Sequence, residues 1–218
     1  MVTRLSFEEE LGTLHEQFTN MLSLTEDAID KAIVALKTQD AELAQTIIDG
    51  DDEIDKVERK IEKLCLEIMV RQNPIARDLR RITSIFKLIT DLERIADHAE
   101  DISEIVIRIK DQKYIKPLVD LPDMANKART MVTRVIRSYM QRDVDMAYEV
   151  CADDDYVDKL YYKIYDELVE MIKGNPACAD QAVALISIAK YVERIADHAT
   201  NIAEWVVFNE TGKHKRIG

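Results

Sequence analysis

The peptide Glu-Arg-Ile-Ala-Asp-His-Ala occurs twice, from Glu93 to Ala99 and again from Glu193 to Ala199, one hundred residues later. Self-similarity at a fixed offset is the mark of internal duplication, so this chain has to fold as two copies of one unit. The flanks agree more loosely, ITSIFKLITDLERIADHAEDISE against ISIAKYVERIADHATNIAE, and each copy follows an Asn-Pro break, RQNP in one half and GNPA in the other.

The unit is helical. Only 5 Gly and 4 Pro are present and aromatics make up 6%, which starves hairpins of turn residues, while Ala, Leu, Ile, Glu and Lys favour helix. Ser6 and Glu9 read as a capping box. Leu11, Leu14, Phe18, Met21, Leu22, Ile29, Ile33 and Leu36 then keep helical spacing to a stop near Thr38. Asp40 caps a second helix with the stripe Leu43, Ile47, Ile54, Val57, Ile61, Leu64 and Ile68. At RQNP, Asn73 is expected to cap a third helix with Pro74 at its first position, where a missing N–H does no harm. That helix carries Ile82, Ile85, Ile89, Leu92, Ala96, Ala99 and Val106 and fades in DQKYIKP.

The second half repeats the plan. Met124, Ala128, Met131, Val135 and Tyr139 mark helix four, Asp143 or Asp145 opens helix five, and Asn175 with Pro176 leads helix six. Short joins make neighbours antiparallel. The expected fold is all-α: two tandem antiparallel three-helix bundles of long helices, residues 1–115 and 116–218, related by internal duplication.

A formal net charge of −12 argues against nucleic acid, whose binding needs clustered Lys and Arg. Cys65, Cys151 and Cys178 form no CxxC pair and read as reduced, packed thiols. The N-terminus lacks the apolar core of a signal peptide and no apolar run reaches the ~20 residues of a spanning helix. A cytoplasmic location is expected, with peripheral membrane contact only through partners.

Taking 100° per residue, Glu93 and Asp97 share one ridge, roughly 80 to 120° round from the apolar stripe. Glu193 and Asp197 do the same in helix six. Asp101 and Asn201 extend these ridges by a turn. Asp51 with Asp55 on helix two and Asp154 with Asp158 on helix five repeat the i, i+4 spacing. The heights also agree. Asp55 and Glu93, like Asp51 and Asp97, are equidistant from Pro74; Asp158 and Glu193, like Asp154 and Asp197, are equidistant from the Asn175–Pro176 junction. Within each antiparallel hairpin the two ridges either face each other across the groove or both turn away. Facing ridges make a four-carboxylate site in each half, where like charges repel unless a cation sits among them. Oxygen ligation favours hard ions such as Mg²⁺, Mn²⁺, Ca²⁺ or Fe³⁺, with Zn²⁺ less selected.

Blander readings accompany this one. A D-x-x-x-D pair on an acidic helix is commonly a solvated face, and Arg94, Arg194 or Lys56 can neutralise the carboxylates as salt bridges. His98 and His198 point away from the stripe and read as solvated, and Tyr161, Tyr162 and Tyr165 read as packing or lining the groove rather than binding a cofactor. No catalytic or cofactor-binding residue is assigned. A ferritin-like di-iron bundle uses Glu-x-x-His, and no histidine here has Glu three residues before it. A metal-dependent phosphohydrolase using the carboxylate clusters is the alternative, since metals alone activate water.

The runs MVRQNPIARDLRRI and DLERIADHAEDI, with YVERIADHATNIAEWVVF in the second half, resemble the PhoU family of bacterial phosphate-signalling regulators over nearly the whole chain. The resemblance implies a cytoplasmic, non-enzymatic negative regulator of phosphate uptake and the phosphate-starvation response. Such a protein is an adaptor between the phosphate ABC importer, through its ATPase subunit, and the sensor histidine kinase, and it forms a homodimer. It also implies multinuclear iron or zinc clusters on E(D)-x-x-x-D motifs, which fall on Glu93 with Asp97, Glu193 with Asp197, Asp51 with Asp55, and Asp154 with Asp158. The family commonly has Asn where Asn201 stands, so Asp101 makes the first site the more acidic.

Overall fold

A computed structural model describes residues 2–213, with side chains from residue 7 onward. Six helices follow one another: α1 (Val2–Thr38), α2 (Ala41–Gln72), α3 (Ala76–Ile109), α4 (Asp120–Gln141), α5 (Val144–Gly174) and α6 (Ala179–Thr211), with a 3-10 turn at Pro176–Cys178. At 1.5 Å per residue, the 37 residues of α1 reach about 55 Å. Among the described residues there is no strand, and no helix is long and apolar enough to cross a membrane.

The stripes read from the sequence are the faces that lose their water. Leu14, Phe18, Met21, Leu22, Ile29, Ile33 and Leu36 of α1 are buried, as are Ile47, Ile54, Ile61 and Ile68 of α2 and Met124, Ala128, Met131, Val135 and Tyr139 of α4. The helices differ in how much they bury. α3 and α6 each carry 14 buried residues, α2 and α5 only 6 each. A helix buried over most of its circumference belongs in the middle, and a narrow stripe belongs to an outer element. Accordingly α3 packs on α1, α2 and α6, and α6 on α3, α4 and α5, while α2 and α5 cover the two flanks. All six helices feed one continuous core, so the halves are joined rather than strung.

Chain punctuation agrees with expectation at some joints and departs at others. The Asp40 carboxylate accepts from Leu43 N at 2.9 Å, and Asp143, not Asp145, caps α5 by accepting from Met146 N at 3.0 Å. α1 already begins at Val2, upstream of the expected capping box; the Ser6 side chain lies outside the described residues. The two Asn-Pro pairs work in opposite ways. Asn175 accepts from Ala177 N and Pro176 leads, but into a 3-10 turn rather than helix six itself, which starts at Ala179 with Cys178 at its N-cap. Asn73 instead ends α2 in the left-handed conformation (φ 48°, ψ 54°), and α3 starts at Ala76 with no side-chain cap. Asn tolerates that conformation better than other residues with a Cβ, so it terminates the preceding helix and leaves Pro74 and Ile75 to turn the chain.

The α3–α4 connection is held by side chains. Gln181 Oε1 accepts from Ile115 N at 2.6 Å while its Nε2 donates to Gln112 Oε1 and Lys113 O, and Tyr114 donates its hydroxyl to Leu36 O at 2.6 Å. A buried Gln with its amide fully used explains how a polar residue sits in the core of α6.

Candidate functional site

The α2–α3 hairpin sets Asp51, Asp55, Glu93 and Asp97 close enough for their charges to act on one another. Burial raises the Asp51 carboxyl to about 6, with Asp97 and Asp55 adding to the shift. Glu93 is pushed to about 7 by burial and then by Asp97, against Arg94, with Glu58 and Asp55 contributing further. Asp97 is raised by burial, opposed by Arg94 and His98 and supported by Asp55 and Asp101. The pairs equidistant from Pro74 thus feel each other across the groove. The two ridges therefore lie on the same side of the hairpin.

The α5–α6 hairpin repeats the arrangement. Asp154 is raised to about 6 by burial, then by Asp158, Asp197 and Glu193, and its Oδ1 is buried without a hydrogen-bond partner. Asp158 is raised by burial and then Glu193. Asp197 is the most exposed of the four, yet the groove desolvates its carboxyl and raises it, with Glu193 next in effect and Lys190 opposing.

The two grooves differ in their counter-charges. In the first, Arg94 reaches Asp97 at 2.8 Å and Glu93 at 3.3 Å, and Arg59 reaches Asp55 at 3.2 Å. In the second, Lys190 Nζ lies 2.6 Å from both oxygens of Glu193 and 5.2 Å from the Tyr161 ring centroid. Lys56 and Arg194 make no ion pair among the described residues. The first groove is also more acidic for a reason the helical spacing had not singled out. Glu100, where the other half has Thr200, is raised to about 7 by burial, then by Asp51, Glu104 and Asp97. The signal was a Glu three residues beyond Asp97, on the same side of the helix.

The donor set suits a hard cation: all oxygen, crowded with like charge, with one buried orphan atom. Among the described residues, however, no three His, Cys, Asp or Glu side chains are arranged to hold a metal ion as they stand. The carboxylates have to draw together by side-chain rotation to ligate one.

His98 and His198 are not solvated. Their side chains are 13% and 20% exposed, and their rings stand 5.7 Å apart at the α3–α6 crossing, with His98 stacked on Tyr191 at 5.4 Å. They point away from their own hairpin's stripe, as expected, and therefore into the other half. His98 Nδ1 lies 3.2 Å from Asp101 Oδ2, and His198 Nδ1 lies 2.9 Å from Asp91 Oδ1. Asn201 Nδ2 donates to the same Asp91 oxygen at 3.2 Å, so Asp101 and Asn201 serve this seam. Asp91 carried no sequence signal, because its partners lie on another helix.

The sequence model described as the PhoU domain matches residues 18–106 and again 121–206. The chain belongs to the PhoU family. Each PhoU-domain match holds one complete carboxylate set, Asp51, Asp55, Glu93 and Asp97 in the first and Asp154, Asp158, Glu193 and Asp197 in the second. The chain is 37% identical over 213 residues to a Clostridium acetobutylicum protein named a phosphate-specific transport system accessory protein PhoU homolog, covering 97% of each chain. It is 35% identical to PhoU homolog 1 of Thermotoga maritima, over 99% of this chain and 94% of that one. The crystal structure of PhoU from Pseudomonas aeruginosa superposes with a TM-score of 0.92 at 32% identity, over 95% of this chain and all of that one. A Streptococcus pneumoniae structure titled a phosphate transport system regulatory protein PhoU gives a TM-score of 0.87 at 27% identity, over 96% of this chain and 99% of that one. These relatives carry accessory and regulatory names, not enzyme names.

Proposed function

We propose that this PhoU-family chain is an accessory, regulatory protein of phosphate-specific transport, and that its two carboxylate grooves bind metal ions. The reading rests on end-to-end similarity to proteins named for that accessory role, joined to a duplicated all-oxygen groove that concentrates like charge. Asp51, Asp55, Glu93 and Asp97 would hold one metal set and Asp154, Asp158, Glu193 and Asp197 the other, with Fe, Zn, Mn or Mg as candidates. A bound cation supplies positive charge that offsets the repulsion and desolvation of the ionised carboxylates. The protein's own part is to present these carboxylates from two packed helices, so that ligation fixes α2 on α3 and α5 on α6. The surface so fixed is the one offered to the phosphate ABC importer's ATPase subunit and to the sensor histidine kinase, with the chain acting in the cytoplasm as a homodimer and a negative regulator.

Elemental analysis of protein purified without chelators tests this, comparing wild type with the E93A/D97A/E193A/D197A variant. The variant should lose its metal while keeping the helical circular dichroism. Equal metal content in the two proteins would end the reading. Capture of importer and kinase components, with and without chelator, tests the adaptor role. Steady turnover of phosphoesters by the metal-loaded protein would instead favour a phosphohydrolase.

A further inference from the structure

At the end of the molecule remote from the α3–α4 connection, a cavity of about 360 Å³ opens between α1, α3, α4 and the C-terminal end of α6. In a chain of net charge −12 its lining is unexpectedly basic: Arg77, Arg80, Arg81 and Arg142, with His15 and the Tyr139 hydroxyl, against only Asp78 and Glu210. Four guanidinium groups against two carboxylates leave an excess of two positive charges. Among the described residues none of the four arginines is within ion-pair distance of a carboxylate, although two line the same cavity.

One of the four is committed elsewhere. Arg80 Nε donates to Asn209 O at 3.0 Å, and its guanidinium lies over Gly212, the left-handed residue that ends α6. Arg77, Arg81 and Arg142 remain. Arg81 lies beside the Tyr139 hydroxyl, and Arg142 closes α4 in the left-handed conformation (φ 57°, ψ 36°).

His15 lines the same space. His15 Nδ1 is buried and has no hydrogen-bond partner. Burial first, then the charges of Arg81 and Arg142, lower its pKa, which shows that the field of both guanidiniums converges on the ring. A neutral imidazole in its Nε2–H tautomer would present a donor to an anion in the cavity, with Nδ1 left buried behind the lining. The start of α3, where Ile75 supplies no side-chain cap, lies at the same end of the bundle.

We propose that this cavity is a binding site for a small tetrahedral oxyanion of the phosphate class, held by Arg77, Arg81, Arg142 and His15. Guanidinium forks bind phosphate oxygens in pairs, and donors arriving from three helices suit an anion with oxygens in several directions better than a planar carboxylate. A cavity of this size fits a small ligand rather than a chain segment. Because His15 and Arg77 to Arg81 come from the first half and Tyr139 and Arg142 from the second, an anion here would tie the two halves together. The site is separate from the carboxylate grooves and needs no metal.

The test is equilibrium dialysis of the full chain, treated with chelator, against radiolabelled orthophosphate, with sulfate and pyrophosphate as competitors. Saturable binding at one site per chain is expected, weakened about tenfold or more by R81A and by R142A, and partly restored in R142K. Orthophosphate should also raise the melting temperature of wild type and not of the R81A/R142A variant, which separates lost binding from lost folding. Pyrophosphate binding at least about tenfold tighter than orthophosphate would identify a phosphoryl group on a larger molecule as the source, and the reverse order the free ion; both sustain the site. No saturable binding up to about 10 mM would overturn it, as would undiminished binding in the R81A/R142A variant. Binding lost only in the E93A/D97A/E193A/D197A variant would place the anion in the carboxylate grooves and overturn it too.

Discussion

His198 Nδ1 lies 2.9 Å from Asp91 Oδ1, a contact that crosses from the second half of the chain to the first. Asn201 donates to the same oxygen, so D91A strands two polar partners at the seam at once. The expected loss is about 1–3 kcal/mol, read as a lower urea midpoint at an unchanged slope. D91N keeps an acceptor and should lose less. A midpoint identical to wild type in D91A would show that the contact contributes nothing.

The carboxylate grooves set a pH dependence with a definite sign. Burial and mutual repulsion raise Asp51 and Asp154 to about 6 and Glu93 to about 7 in the folded chain, above their unfolded values. Between those unfolded values and pH 7 the folded state binds more protons than the unfolded one, so this contribution is fully present at low pH and is lost as pH rises through 6 to 7. Chelated protein should therefore melt at a higher temperature near pH 5 than near pH 7.5, and E93Q should flatten the difference. Added Mn²⁺ should stabilise more at the higher pH, where the ligands are ionised. Melting curves that rise steadily from pH 5 to 7.5 in chelator would contradict the assignment.

Helix α5 offers a cleaner test of local structure. The Asp143 carboxylate accepts from Met146 N, whereas Asp145 lies inside the helix. D143A should destabilise the chain by about 1 kcal/mol and D145A by much less, measured by chemical unfolding. Equal effects would mean the cap is not what positions the start of α5.

Phe18 packs edge-on against Tyr139, ring centroids 4.9 Å apart, joining α1 to α4. Its side chain is 1% exposed, so F18A opens a cavity in the shared core and should cost about 3–5 kcal/mol. That is a large part of a typical domain's stability, and loss of a cooperative thermal transition near physiological temperature is the expected result. A melting temperature within a degree or two of wild type would show the core relaxing around the gap.

The parts of this structure legible in the sequence are those governed by spacing within one hairpin. The stripe from Leu14 to Leu36 is the buried face of α1, and the matched heights of Asp51 with Asp97 and Asp55 with Glu93 become a common groove because an antiparallel hairpin preserves distance from its turn. What crosses between hairpins was hidden. His98 and His198 sit opposite their local stripe, which a single helix presents as solvent and the assembled molecule presents as a second interface. Arg77, Arg81 and Arg142 share a cavity only because the start of α3 meets the ends of α4 and α6, and no periodicity records that meeting. Asn73 failed for a local reason: Asn caps a helix's beginning and also closes one in the left-handed conformation, and the letters alone favoured the first.

α3 and α6 run antiparallel, with Arg80 at Asn209 near one end and Gln112 at Gln181 near the other. Between these ends His98 faces His198, Asp91 meets Asn201, and Asp101 lies close enough to Tyr191 to add to the rise that burial causes in its hydroxyl. Equivalent positions thus exchange partners, as they do across an isologous contact between identical subunits. One polypeptide here has the self-complementary geometry of a symmetric pair, so substituting both His98 and His198 acts twice at one place rather than once at two.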